Sequence, residues 1–145
     1  MYNVIDVAKY IILYCKKNGY SVSNLKLQKL LYFVQAQFLV TLNQPCFAAE
    51  IEAWDFGPVV PEAYHYFKIW GNSDIPTICA HNAEKNIKLC DQKVMDDVLS
   101  NCAAYSASYL VDLTHNQSPW KTAYNGMHNQ IISLQSIKEY FNRRD

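Results

Sequence analysis

The stretch that decides the fold runs from Ser23 to Asn43 and reads SNLKLQKLLYFVQAQFLVTLN. At about 100° per residue on a helical wheel, its apolar side chains form two opposite faces. One face carries Leu27, Leu30, Leu31, Val34 and Phe38, and the other carries Tyr32, Phe33, Ala36, Leu39 and Val40. A helix that is apolar on two faces must be covered on both. The stretch therefore predicts the central helix of a layered bundle, with Ser23 as its N-cap and both Leu31 and Tyr32 buried.

Shorter elements are predicted on either side of this helix. Helical spacing over Asn3–Asn18 indicates a first helix that ends at Gly19. Alternation from Ile51 to Phe56 is typical of a short strand. We expect Gly57-Pro58 to break this strand before a helix that begins at Pro61. The predicted fold class is mainly α (α+β): a single-domain helical bundle over residues 1–145 around a central two-faced helix, with a small two- or three-stranded antiparallel sheet.

The second half of the chain has weaker periodicity, and its elements are predicted more locally. A short strand is predicted around Ile87–Leu89. Asp91 should cap the next helix, whose buried face carries Val94, Val98, Cys102 and Tyr105. A helix from Ser106 to His115 should direct Tyr109, Leu110 and Leu113 inward, and a short helix should cover Trp120–Tyr124. Ser136 should cap the last helix, with Ile137, Tyr140 and Phe141 inward and Arg143 and Arg144 at its end.

Composition excludes several classes of protein. Half of the 145 residues are apolar and 14% are aromatic, which argues against intrinsic disorder. The 13 basic and 13 acidic side chains cancel, so a general nucleic-acid binder is not expected. Five cysteines without a Cys-x-x-Cys pair do not indicate a disulfide framework or a zinc ribbon. With no export signal and no apolar run long enough to span a membrane, we expect a cytoplasmic protein that does not contact membranes.

Catalytic and metal-binding signals are sparse. Cys79 and His81 are two residues apart, but no further ligand has a spacing that would complete a metal site. Glu50 and Glu52 share a strand face, and a solvated face explains them better than paired catalysis. The enzymatic alternative is a nucleophilic cysteine with a distant histidine, for which Cys46 and His115 are the candidates. The prediction is no metal, no cofactor and no enzymatic activity, with a Cys–His enzyme kept as an alternative.

Aromatic residues concentrate around Gly57-Pro58. Within 17 residues lie Trp54, Phe56, Tyr64, Tyr66, Phe67 and Trp70. One interpretation is the packed corner of a strand, a turn and a helix. The other is a surface for a protein partner, because aromatic side chains dominate the energetics of interfaces. The candidate partner-binding residues are Trp54, Phe56, Gly57, Pro58, Tyr66 and Trp70.

The order of motifs along the chain resembles a known family. Leu27-Gln28-Lys29-Leu30-Leu31-Tyr32 is followed by Ile51-Glu52-Ala53-Trp54, Gly57-Pro58-Val59-Val60-Pro61, Leu113-Thr114-His115, Pro119-Trp120-Lys121-Thr122-Ala123 and Ile137-Lys138-Glu139-Tyr140-Phe141. This order and spacing resemble the Panacea domain, also called the SocA-like antitoxin or GepA-like phage-associated family. The positions that match its motifs are Leu27, Gln28, Lys29, Tyr32, Trp54, Gly57, Pro58, Pro61, His115, Pro119 and Trp120. Asp55-Phe56 departs from the basic-aromatic pair expected after the tryptophan.

The resemblance implies a bacterial or phage protein that works by binding. Members of this family are antitoxins that neutralise toxins encoded beside them, and one founding member hands its toxin to the ClpXP protease. The resemblance brings no catalytic residue and no cofactor. It implies a toxin as the protein partner, with delivery to a ClpXP-type protease as the alternative function. The sequence leaves the identity of the toxin and the oligomeric state open, a homodimer included.

Overall fold

The two-faced helix predicted from the sequence is the centre of the fold. The structure, a computed structural model, describes residues 1–142 and places helix α2 at Asn24–Leu42. Ser23 caps it, since its hydroxyl accepts a hydrogen bond from the Lys26 amide, and Asn43 ends it in the left-handed conformation at φ +57°. Leu31 and Tyr32 are both completely buried, which confirms that the helix is covered on opposite faces.

Other helices surround α2 and bury its two apolar faces. In chain order the helices are α1 (Val4–Lys17), α2, α3 (Pro61–Phe67), α4 (Leu89–Cys102), α5 (Ala107–His115), α6 (Ser118–Ala123) and α7 (Leu134–Asn142). Helices α1, α4, α5 and α7 all pack directly on α2. Short 3-10 helices at Lys68–Trp70, Thr77–Ala80 and Ala83–Asn86 connect α3 to α4. The mainly helical class and the central position of α2 are confirmed.

A small antiparallel sheet lies at one side of the bundle. Its strands are β1 (Ile51–Trp54), β2 (Gly57–Val59) and β3 (Ile131–Ile132), in the order β2-β1-β3. Ala53 pairs with Pro58 across the hairpin, and Ile51 pairs with Ile132 on the other edge. The sheet therefore ties the hairpin to a segment near the end of the described chain.

Buried polar side chains of α2 hold the backbone of the segments that pack on it. Gln28 Oε1 accepts a hydrogen bond from the Val60 amide at 2.9 Å, and Lys29 Nζ donates to the Pro58 carbonyl at 2.8 Å. Gln35 Oε1 accepts from the Cys46 amide at 2.8 Å. Buried polar groups are stable only when they are hydrogen-bonded, so each of these side chains fixes one backbone position next to α2.

Lys29 is unusual because lysine side chains are rarely buried completely. The side chain is completely buried, and burial lowers the pKa of Lys29 to about 7 because the charged form loses its hydration. Nearby, the Tyr32 hydroxyl donates to Gln117 Oε1 at 2.7 Å, which ties the segment between α5 and α6 to the central helix. Gln28 and Lys29 thus connect α2 to the segment Pro58–Val60, and Tyr32 connects it to the segment between α5 and α6.

The prediction that Gly57-Pro58 breaks the strand was wrong. The turn lies two residues earlier, at Asp55-Phe56, and Gly57 and Pro58 belong to β2. Gly57 has a φ of +101°, and a glycine of positive φ after a two-residue turn restores the twist that the paired strands need. Pro58 is tolerated because β2 is an edge strand.

Two elements around residue 90 differ from the prediction. Residues 87–89 are not a strand: Ile87 ends a 3-10 helix, Leu89 begins α4, and Lys88 rather than Asp91 is the N-cap. A single lysine between two apolar residues is too short a pattern to separate a strand from a helix start. The buried face of α4 is also rotated from the predicted one. It carries Met95, Leu99 and Cys102, whereas Val94 and Val98 are half-buried and Tyr105 is exposed.

Corrections in the last third of the chain concern exposure and helix starts. Ser106 caps α5 as predicted, with its hydroxyl accepting from the Tyr109 amide, but the Tyr109 side chain is exposed rather than inward. Helix α7 begins at Leu134, and Ser133, not Ser136, provides the hydroxyl that accepts from an amide of the first turn. The predicted basic end of that helix, Arg143 and Arg144, lies outside the described residues.

Candidate protein-binding site

The tip of the β1–β2 hairpin projects from the fold at the point where the predicted aromatic cluster lies. We define the hairpin tip as Trp54, Asp55 and Phe56. The Phe56 side chain is 64% exposed, although Gly57, the next residue, is buried. A Cβ atom at Gly57 would lie 2.7 Å from both Lys29 Cε and Thr114 Oγ1, so the chain passes directly over the side chains of α2 and α5. The tip therefore projects from a tightly packed base.

A column of stacked rings from α5 and α6 supports the hairpin tip from one side. The His115 ring stacks on Trp120 with centroids 4.2 Å apart, and Trp120 stacks on Tyr124 at 4.5 Å. Trp120 Nε1 donates to the Trp54 carbonyl at 2.8 Å, and His115 Nε2 lies 2.9 Å from the Asp55 carbonyl oxygen. His115 therefore contacts a backbone carbonyl of the tip.

The Asp55 carboxylate is held between two side chains that follow the ring column. The Tyr124 hydroxyl donates to Oδ1 at 2.5 Å, and His128 Nε2 lies 3.6 Å from Oδ2. The hydrogen bond from Tyr124, with a smaller contribution from His128, lowers the pKa of Asp55 below its ordinary value. The same hydrogen bond raises the pKa of Tyr124. The tip therefore presents an ionised carboxylate to solvent.

The Trp54 ring forms one wall of a cleft of about 340 Å³. Its Nε1 donates to Glu52 Oε1 at 2.9 Å, and its edge meets the Tyr64 ring, with centroids 5.1 Å apart. The His128 ring covers its face in a parallel stack, at 4.7 Å and an interplanar angle of 8°. Phe56 also lines the cleft. We call this depression the tip cleft. Polar residues that also line it include Asn24, Gln28, Lys68 and Asn72.

The structure brings some predicted partner-binding residues together and separates others. Trp54 and Phe56 line the tip cleft, whereas Gly57 and Pro58 are buried beneath it. Tyr66 is 54% exposed and lies toward α1, where Lys9 Nζ is 5.6 Å from its ring centroid. Trp70 is half-buried and packs against the hydrophobic core.

Sequence reasoning missed two residues of the site, Tyr124 and His128. Tyr124 had a detectable signal, because it lies four residues after Trp120 and so falls on the same face of a helical turn. His128 lies in the loop between α6 and β3, where no periodicity indicates which side chain reaches back to the hairpin. Pairing across such a loop is determined by tertiary structure alone.

The candidate enzymatic residues have separate surroundings. Cys46 is buried beside Gln35, and burial raises the pKa of its thiol, whereas His115 contacts the hairpin tip. Cys79 is half-buried and His81 is exposed. Glu50 precedes β1, and Glu52 is hydrogen-bonded to Trp54. Within residues 1–142, no three His, Cys, Asp or Glu side chains are grouped so that they could hold a metal ion.

Comparison with known proteins places these features in a family. The family model "Antitoxin SocA-like, Panacea domain" matches residues 27–121, a segment that contains the hairpin tip, His115 and Trp120. The chain is 36% identical over 119 residues to "Antitoxin SocA" of Caulobacter vibrioides (strain NA1000 / CB15N), with 72% of this chain covered. It spans 61% of the length of that relative. No solved structure matches the chain significantly. In the described part of the chain, none of the helices has the length and apolar character needed to cross a membrane.

Proposed function

The chain belongs to the SocA-like antitoxin, Panacea-domain family, and from that premise we propose that it is a non-enzymatic antitoxin that neutralises a protein toxin by binding it directly. A relative 36% identical carries the name antitoxin, which supports this role. The contacts of Cys46 and His115 give no support to the alternative Cys–His enzyme, because each side chain serves a different part of the fold. The proposed partner is therefore a protein toxin.

The observation that carries the proposal is the hairpin tip. Phe56 is 64% exposed, yet the tip backbone is fixed by Trp120 and His115. Exposed aromatic side chains on a rigid backbone lose little conformational entropy on binding, and aromatic residues supply many of the dominant contacts in interfaces. We propose that the toxin contacts Trp54 and Phe56, while Gly57 and Pro58 hold the tip in place from below.

Tyr66 and Trp70 are proposed as a second, separate contact area. Tyr66 is exposed toward α1, and Trp70 is half-buried at the end of the 3-10 helix that follows α3. A partner that covered the tip cleft and the adjoining side of α3 would reach both areas. Substituting each area separately will show whether the partner uses one or both.

Co-expression with the product of the adjacent gene tests the proposal. If that product arrests bacterial growth, the wild-type chain should restore growth and co-purify with it. Phe56→Ala should lose both effects, whereas Ile78→Ala, which alters a side chain 75% exposed in a different region, should retain them. Growth arrest that the wild-type chain does not relieve would contradict the antitoxin role. Equal rescue by both variants would contradict the binding of the toxin at the hairpin tip.

The same strains also separate sequestration from protease delivery. If binding alone neutralises the toxin, its half-life should be unchanged or longer when the antitoxin is present. A toxin half-life that shortens only in cells with an active ClpXP protease would replace sequestration by delivery as the function. We propose a cytoplasmic location for either role, because all five cysteines are free and free thiols are typical of a reducing compartment.

A further inference from the structure

The position of His128 shows what kind of group the tip cleft can hold. Its imidazole lies parallel to the Trp54 indole at 4.7 Å, and its Nε2 points to the Asp55 carboxylate at 3.6 Å. A flat, nitrogen-bearing group thus lies on an aromatic face with one ring nitrogen 3.6 Å from a carboxylate oxygen. The arrangement is made within one chain, but the same surfaces could hold a similar group from another protein.

The charges around Trp54 favour a cation at this position. Asp55 is exposed and ionised, and its pKa is lowered by the Tyr124 hydrogen bond. A second carboxylate, Glu52, contacts the Trp54 ring nitrogen. The face of the Trp54 ring on which His128 stacks adds the negative side of its quadrupole. Lys68, at the start of the 3-10 helix that follows α3, also lines the cleft.

We propose that the tip cleft binds an arginine side chain of the protein partner, with the guanidinium in the place that His128 occupies in the free chain. Arginine is the side chain that combines a planar cation, stacking on tryptophan and paired donors for a carboxylate. A lysine ammonium offers the charge without the planar stack. The inference rests on the proposed function, since it names the chemical group by which a protein partner is held.

His128 is held loosely enough to be replaced. Its side chain is 55% exposed, as is that of Asp55, and an exposed ion pair of this kind contributes little to stability. Within this loop the Met127 amide donates to Asn125 Oδ1, and Gln130 donates to Asn129 Oδ1. The Gln130 carbonyl accepts from the Ala53 amide of β1. None of these bonds involves the His128 ring. Movement of the His128 ring therefore does not require rearrangement of the sheet or of the ring column.

A peptide titration of the full chain tests the arginine site without any toxin. The probes are Ac-Gly-Arg-Gly-NH₂ and the same peptide with citrulline, which keeps the planar shape but removes the charge. The readout is the Trp54 indole N–H resonance in the ¹⁵N-labelled protein. We expect the arginine peptide to shift this resonance saturably, with a dissociation constant in the millimolar range, and the citrulline peptide to bind at least tenfold more weakly. Equal responses to the two peptides, or no saturable response to arginine, would overturn the inference.

Three variants, one of them a control, test the roles given to His128 and Asp55. His128→Ala should tighten binding of the arginine peptide several-fold, because it removes the internal occupant. Asp55→Asn should weaken it about tenfold while keeping an acceptor for Tyr124, and Asp97→Asn, an exposed position on α4, should leave it unchanged. Weaker binding by His128→Ala would overturn the inference, because His128 would then be part of the binding surface.

The outcomes separate this inference from the proposed function. If the chain neutralises the toxin but does not bind the arginine peptide, the arginine site is wrong and the antitoxin role stands. If the peptide binds as expected but the chain does not rescue growth, the cleft is an arginine site and the antitoxin role is wrong. Neither result depends on the other, because the titration contains no toxin and the growth assay contains no peptide.

Discussion

The β1–β2 hairpin has two halves that meet at the peptide bond between Phe56 and Gly57 and differ in exposure and packing. Phe56 is 64% exposed, and Gly57 beside it is buried against Lys29 and Thr114. The buried half is fixed by contacts with α2 and α5, so its residue types are determined by space and hydrogen bonding. In the exposed half, Trp120 and His115 contact the backbone carbonyls of Trp54 and Asp55, and most of the Phe56 ring is in water. The Phe56 side chain can therefore change without loss of the fold, as expected for a surface that meets partners.

The largest effect should follow from Gly57→Ala in the buried half. The new methyl group would lie 2.7 Å from Lys29 Cε and Thr114 Oγ1, at a φ of +101°. Strain at such a φ and overpacking each cost about 1–3 kcal/mol. We expect the free energy of unfolding to fall by about 3 kcal/mol or more, as measured by urea denaturation.

Gly19→Ala is the matched control for this prediction. Gly19 also has a positive φ, +76°, but a Cβ there would have no atom within 4 Å. Backbone strain alone costs about 1–2 kcal/mol, so the control should lose clearly less stability than Gly57→Ala. If the two variants lose the same amount, packing against Lys29 and Thr114 does not fix the buried half.

An intermediate effect should appear as a pH dependence produced by Lys29. Burial lowers its pKa from 10.5 to about 7 in the folded state. Between these values the unfolded chain binds a proton at Lys29 that the folded chain does not, so this residue makes stability rise with pH. From pH 7 to pH 8.5 the contribution is about 1.5 kcal/mol.

Lys29→Met isolates this contribution, because methionine keeps a long side chain and cannot ionise. Urea denaturation of both proteins at pH 7 and pH 8.5 should show that the wild type gains about 1.5 kcal/mol more than the variant. Groups that titrate in both proteins, such as Cys15 with its raised pKa, cancel in this difference. A difference that stays constant with pH would mean that Lys29 is charged in the folded protein throughout the range.

The base of the hairpin was largely predictable, because local patterns encode it. The double apolar face of Ser23–Asn43 gave the buried central helix, and alternation after Ile51 gave the strand. The turn was misplaced by two residues, because Gly57-Pro58 is typical of a turn, whereas here Gly57 lies in β2 and packs against Lys29 and Thr114. A close approach between distant segments leaves no periodic signal. The sequence therefore does not indicate that Gly57 is needed because there is no space for a side chain beside Lys29 and Thr114.

For the hairpin tip, the sequence predicted the aromatic residue types but not which of them lie together. The aromatic cluster indicated a surface or a corner, and the structure divides it between the tip cleft, with Trp54 and Phe56, and the side of α3 that carries Tyr66. Tyr64 and Tyr66 are two residues apart, about 200° on a helical wheel, so they lie on different faces of α3. The stacking of His128 on Trp54 joins residues 74 positions apart through a loop. No rule of periodicity or capping reaches over that distance.

The smallest effect on stability, and the sharpest contrast with Gly57, should come from Phe56→Ala. Because most of the ring is in water, its removal should change the free energy of unfolding by less than about 0.5 kcal/mol. Removal of an anchoring aromatic from an interface costs about 2 kcal/mol or more of binding free energy, which is roughly a thirtyfold weaker complex with the toxin. Urea denaturation and calorimetric titration of the same preparation measure both quantities. A loss of stability as large as the loss of affinity would place Phe56 in the core, and the two halves of the hairpin would then be one packed unit.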